Sequence, residues 1–162
     1  MQKLTIGPRT ERRAQDCFEA DMGAGVSYDL DRFVRAQDGV IAEVKSELRQ
    51  GRKTSHWMWF VFPQIAGLGR SPMSQRFAIA SLDEARAYLG HPVLGRRLKE
   101  CVAILLDLED SPAHGIFGSP DDMKLRSSLT LFSRAAPDEP LFDQALARFF
   151  DGEPDKATLE RL

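Results

Sequence analysis

The feature that most constrains this chain is a stripe in which Leu94, Leu98, Cys101, Val102 and Leu105 recur at intervals of three and four. In a helix those residues share one face, and that face must be buried against a partner. Pro92 suits the first turn of such a helix, while Gly90-His91-Pro92 stops the helix before it. The same period appears along the chain. Leu30, Phe33 and Val34 make a short stripe, and beyond Gly39 the set Val40, Ile41, Val44 and Leu48 repeats it up to Gly51. Ser81 and Glu84 have capping-box spacing and predict a helix over about Leu82–Leu89. Ser119 as cap, Pro120 at the first helical position and acids at Asp121 and Asp122 predict a helix running to about Arg134. Pro140 to Asp151 supplies another, with Phe142, Leu146, Phe149 and Phe150 turned inward, and Pro154 opens a short last one. β-branched residues are too scattered for a sheet. The expectation is an all-α fold: a single compact multihelical domain over residues 27–162, with about seven or eight short helices.

Residues 1–26 show no sustained period, and Gly7, Pro8, Gly23 and Gly25 interrupt any helix there, so they are expected to be a flexible, disordered leader. Thr5, Gly7 and Pro8 break up the apolar core that a secretory signal needs. The longest apolar run, Trp57 to Pro63, is far too short to cross a bilayer. Among the 162 residues, 22 are basic and 24 acidic, giving a net charge of -2 and no general field for nucleic-acid phosphates. Cys17 and Cys101 sit in unlike contexts, which argues against a disulfide framework and for a reducing cytoplasm. No two histidines have ligand spacing and neither cysteine pairs with one, so no metal site is expected. No cofactor or oligomeric state is assigned.

Chemistry is concentrated in Lys53–Ser71, KTSHWMWFVFPQIAGLGRS, which holds both tryptophans beside His56, Gln64, Arg70 and Ser71. The segment reads either as a pocket wall or as a structural keystone, and its apolar run is expected to form a short helix leading into a loop. His56 is the natural acid-base candidate because imidazole changes charge near neutral pH, with Asp121 as the group that would orient it. Its bland reading is a histidine whose nitrogens satisfy nearby backbone. A second set, Asp121, Lys124, Ser127 and Ser128, falls on one side of the helix whose other side carries Leu125, Leu129 and Phe132. Lysine and hydroxyls there could hold a phosphate or carboxylate, or could be a solvated face. Gly67-Leu68-Gly69-Arg70-Ser71 could bring backbone amides and a guanidinium to an anion, but it lacks phosphate-loop spacing, and a turn that needs glycine dihedrals is the default reading. Cys101, on an apolar stripe, is a poor nucleophile.

The strings SHWMWFVFPQIAGLGRS, YLGHPVLGRRLKEC and IFGSPDDMKLRSSLTLF resemble a family of bacterial proteins, the domain of unknown function numbered 1810, often labelled calpastatin. The likeness spans about Tyr28 to Leu162. It implies a mostly helical fold and brings no activity, substrate or catalytic residues. Calpastatin itself is disordered, whereas helical stripes and a dense aromatic cluster are not the composition of a disordered chain.

Two functions compete. In the first, Trp57 or Trp59 stacks on a small anionic or nucleotide-like ligand held by Gln64, Arg70, Ser71, Lys124, Ser127 and Ser128, with His56 and Asp121 available for catalysis. In the second, the aromatic segment is structural, and an exposed phenylalanine among Phe142, Phe149 and Phe150 serves a non-catalytic interaction domain. The first requires His56–Gln64 to pack on the helix from Pro120 to Arg134, with a tryptophan against its Leu125, Leu129, Phe132 side.

Overall fold

The expected periodicities govern the fold seen in the computed structural model, which describes residues 27–162. The leader expected over 1–26, and Cys17 within it, lie outside the described residues. Ten helices and no strand occur among the described residues, against the seven or eight helices expected. They are α1 (Asp31–Asp38), α2 (Ile41–Arg49), α3 (Met58–Val61), α4 (Pro72–Arg76), α5 (Leu82–Gly90), α6 (Leu94–Asp107), α7 (Ala113–Phe117), α8 (Asp121–Ala135), α9 (Pro140–Phe150) and α10 (Lys156–Leu159). The fold class is all-α. No helix among the described residues is long and apolar enough to cross a membrane.

The centre is built on α6 and α8. Helix α8 packs against α5, α7, α9 and α10, and α6 packs against α2, α5 and α9. The α6 stripe lies inside as the spacing predicts, with Leu94, Leu98, Cys101, Val102 and Leu105 all buried. Burial pushes the Cys101 thiol up to about 12, keeping it protonated and a weak nucleophile. Phe132 of α8 pairs with Tyr88 on one side and Phe142 on the other, at centroid separations of 5.3 and 5.9 Å. At those distances aromatic edges and faces attract beyond the area they bury.

Helix ends follow local chemistry, in two places differently from the sequence reading. Ser81 caps α5, accepting from the Glu84 amide at 3.2 Å, and Glu84 reaches back to the Ala80 amide at 2.7 Å. His91 caps the start of α6, its Nδ1 accepting from the Val93 and Leu94 amides. At α8 the cap is Pro120, and no side chain caps this helix end. The Gly118 carbonyl, carried on a residue at φ 72° where glycine is unhindered, takes the Asp122 N–H that Ser119 was expected to satisfy. Helix α4 occupies part of what read as a loop. Ser71 accepts from the Ser74 amide at 3.1 Å and Pro72 sits in the first turn, which is enough to start a helix beside two glycines.

The stretch between α3 and α5 folds back on itself to make a wall. Ile65 and Ile79 form one isolated parallel bridge, in which the Ala66 amide donates to Ile79 O and the Ile79 amide to Gln64 O, both at 2.8 Å. Arg32 fixes the far side by donating to the carbonyls of Arg76 and Ala78 at 2.8 Å and pairing with Glu84 at 3.2 Å. Gln37 donates to Phe60 O at 2.6 Å and holds α3 against α1. Residues 58–78 are therefore pinned at both ends.

Candidate functional site

Two neighbouring arrangements involve the aromatic segment, one closed and one open. The closed one is organised by Glu47, a carboxylate on the buried side of α2. It accepts from the Thr54 amide at 2.8 Å, the Ser55 amide at 3.1 Å, the Trp57 indole N–H at 2.9 Å and the Ser55 hydroxyl. Burial alone would push this carboxyl up, but the donors converging on it outweigh that and hold it at about 2. Trp57 is itself buried, its ring against Phe62 and Phe117.

Lys53 links this cluster to α8. Its ammonium donates to Ser55 O at 2.6 Å, lies 5.1 Å from the Trp57 ring centroid and pairs with Asp121 Oδ2 at 2.9 Å. The other Asp121 oxygen faces Lys124 at 3.7 Å. One carboxylate thus serves two ammonium groups, with Lys53 almost fully covered at 7% side-chain exposure and Lys124 less so at 22%.

The open arrangement begins at Lys124. Its Nζ sits 5.4 Å from the centroid of Trp59, within cation–π reach. Both residues line a pocket of about 140 Å³ whose walls include Phe62, Gln64, Ile65, Gly69, Ser74 and Phe77. Gly69 packs so tightly on α4 that a Cβ there would come within 2.5 Å of Ser74 Oγ. The glycine is needed for close approach at this wall.

A sequence model described as "Protein of unknown function (DUF1810)" matches residues 27–162. The chain belongs to that family. Among solved structures, this DUF1810 protein is similar to the conserved hypothetical protein Rv1873 from Mycobacterium tuberculosis. The two are 50% identical, with a TM-score of 0.82, and the match covers 83% of this chain and 96% of that one. No curated protein matches the chain.

The structure of the DUF1810 protein gathers some of the residues singled out in sequence and scatters others. Trp59, Gln64 and Lys124 come together at the pocket, and Asp121 stands just behind Lys124. The expected couple of His56 and Asp121 is not formed: Asp121 is engaged by Lys53 and Lys124, and His56 is exposed with no hydrogen bond to another described residue. Arg70 is exposed, with its carbonyl accepting from Gln75, and Ser71 is spent on capping α4.

Ser127 and Ser128 are buried, not beside the pocket rim. Ser127 does meet a carboxylate, but one from its own chain, since its hydroxyl donates to Asp155 Oδ2 at 3.1 Å and so docks α10 on α8. Ser128 Oγ is buried without a partner. The aromatic segment meets α8 through Lys53–Asp121 and Trp59–Lys124, the polar side of the helix, while the rings paired with Phe132 are Tyr88 and Phe142.

Glu47 and Lys53 were missed in the sequence. Glu47 follows Val44 by three positions and precedes Leu48, so helical spacing places it beside the buried stripe, where a carboxylate demands donors. That signal was readable. Lys53 offered none, because its partner lies on a distant helix. Among the described residues, no group of three or more His, Cys, Asp or Glu side chains could hold a metal ion.

Proposed function

We propose that this DUF1810 protein binds a small anionic ligand in the pocket between Trp59 and Lys124. The observation that carries the reading is the position of Lys124, a partly covered ammonium beside an aromatic face at a preformed concavity. Asp121 is engaged more closely by Lys53, at 2.9 Å, than by Lys124, at 3.7 Å, so the Lys124 ammonium is only partly compensated and can meet an anion from outside. Gln64 and Ser74 supply hydrogen-bonding groups at the walls. A pocket of about 140 Å³ lies below the ~300–1,000 Å³ of drug-sized ligand sites. A compact group therefore fits better than a whole nucleotide.

Catalysis by His56 with Asp121 draws no support from this geometry, and the reading is one of binding. The interaction-domain alternative loses its main feature, an exposed phenylalanine. Phe142 is buried, while Phe149 and Phe150 are half-buried beneath the guanidinium groups of Arg148 and Arg126.

Thermal unfolding of the full chain against small carboxylates and phosphates at constant ionic strength tests the proposal. At least one anion is expected to raise the midpoint, and Lys124→Ala to abolish the rise. A panel without any shift, or a shift that survives Lys124→Ala, sinks the reading.

A further inference from the structure

The chemistry of the same pocket narrows its ligand class, an inference that rests on the anion-binding reading above. The lining is divided by depth. Met58, Phe62, Ile65 and Phe77 are buried, whereas Ala66, Gly67 and Gln75 are exposed, so the floor is apolar and the rim is polar backbone and amide. Lys124 is the one charged side chain among the lining residues described. Arg70 is not among them. Arg161 is outside the lining and packs on the rim glycine Gly67, its guanidinium turned to the carbonyls of Gly67 and Ala157.

Volume and charge then point the same way. An apolar cavity of about 150 Å³ is known to accept a benzene ring, and this pocket measures about 140 Å³. A ring or branched aliphatic body of that size takes most of its apolar contact from half-buried Trp59, because Phe62, Ile65 and Phe77 are only 1–3% exposed and give up little hydrated area. One ammonium matches one negative charge, and a phosphate monoester near neutral pH carries closer to two. The second charge would face an apolar floor or an amide rim with no cation lining it, and that desolvation is unfavourable.

We infer that the pocket takes a compact monocarboxylate, with its apolar body on the Phe62–Ile65–Phe77 floor, its carboxylate on Lys124 and its flat face against Trp59. Charge-assisted hydrogen bonds of this kind discriminate by about ten- to a hundredfold against a neutral isostere.

Titration calorimetry on the full chain with benzoate, benzamide, phenyl phosphate and inorganic phosphate tests the inference. Benzoate is expected to bind at least about tenfold more tightly than benzamide and more tightly than either phosphate. Lys124→Met should remove that preference, weakening benzoate far more than benzamide. Quenching of tryptophan emission by benzoate should vanish in Trp59→Phe, a readout that stands if Lys124→Met fails to fold. Tighter binding of phenyl phosphate or inorganic phosphate would overturn the monocarboxylate assignment and leave the anion site standing. Equal affinity for benzoate and benzamide, or binding of none of the four, overturns both.

Discussion

Trp57 and Trp59 flank Met58 at the start of one helical turn and have opposite fates. Trp57 is 1% exposed, with its indole N–H on Glu47 and its ring between Phe62 and Phe117. Trp59 is half-buried and faces Lys124 across a pocket. A buried indole needs an acceptor, and a charged acceptor at that depth needs further donors, so the Trp57 side closes on itself. The Trp59 side leaves an ammonium and an aromatic face for something else to complete. Aromatic density alone therefore does not mark a site; the state of the neighbouring charge does.

The largest expected effect separates the two rings directly. Trp57→Ala should cost about 3–5 kcal/mol in urea unfolding, the usual range for emptying a large aromatic from a core. Trp59→Ala should cost less, because part of its surface stays exposed and its indole N–H has no buried carboxylate to leave behind. Equal losses would break the distinction between a keystone and a wall.

Next comes the charge that anchors the closed side. A carboxyl titrating at about 2 when folded, against an ordinary value of 4.5, contributes about 3 kcal/mol at neutral pH. The unfolded chain takes up the proton first on acidification. The contribution is thus complete above about 4.5, declines below it and is gone once the pH falls through about 2. Glu47→Gln should destabilise the protein by about 2–3 kcal/mol at pH 7, and the gap to wild type should narrow markedly at pH 3. A gap that stays constant with pH would mean that the Glu47 charge is irrelevant to the closed side.

How much of this was legible in sequence follows from the range of each interaction. Helices α2, α5, α6 and α9 were readable because periodicity and caps are local, and the short helix after Trp57 was expected for the same reason. Helix α4 was hidden by Gly67, Gly69 and Pro72, which read as loop although Ser71-Pro72 carried a start signal. Ser119 was misassigned as a cap because the competing acceptor was a backbone carbonyl, which no residue type announces. At the site, Trp59, Gln64 and Lys124 were named from residue type and are brought together, with Asp121 behind Lys124. The partnership of Asp121 with Lys53 was not readable, since it depends on how α8 docks beside the segment before α3. Ser127 and Ser128 show the converse error: hydroxyls on a helix face looked available to a ligand, yet packing of α10 buries that face and Asp155 occupies Ser127.

The link between the two sides carries a smaller effect. The Lys53–Asp121 pair is largely shielded from water, so a double-mutant cycle with Lys53→Met and Asp121→Asn should return a coupling of about 1–2 kcal/mol. Lys53→Met should also leave Lys124 as the sole cation on Asp121, tightening that pair and weakening any anion affinity of the pocket. A coupling near zero would mean that the closed side does not govern the charge offered by the open one.

The smallest effect tests the pocket wall without touching a charge. A Cβ at Gly69 would meet the side chain of Ser74 within 2.5 Å, while its next nearest contact, Ser74 Cα, is 3.8 Å away. The obstruction includes Ser74 Cβ, which no rotamer moves, so the start of α4 itself must shift to relieve it. Gly69→Ala is therefore expected to cost at least about 1 kcal/mol through overpacking, measured as a lowered urea midpoint with an unchanged slope. Adding Ser74→Gly should recover part of that loss by removing the atoms in conflict, less the roughly 1 kcal/mol that glycine costs in a helix. The pair of variants separates space from charge at the open side: anion affinity should fall in Gly69→Ala as the wall shifts and return in the double variant, with Lys124 untouched throughout. If affinity is unaffected by Gly69→Ala, the wall opposite Lys124 is not part of the binding surface, and Trp59 and Lys124 form a surface pair with no pocket behind them.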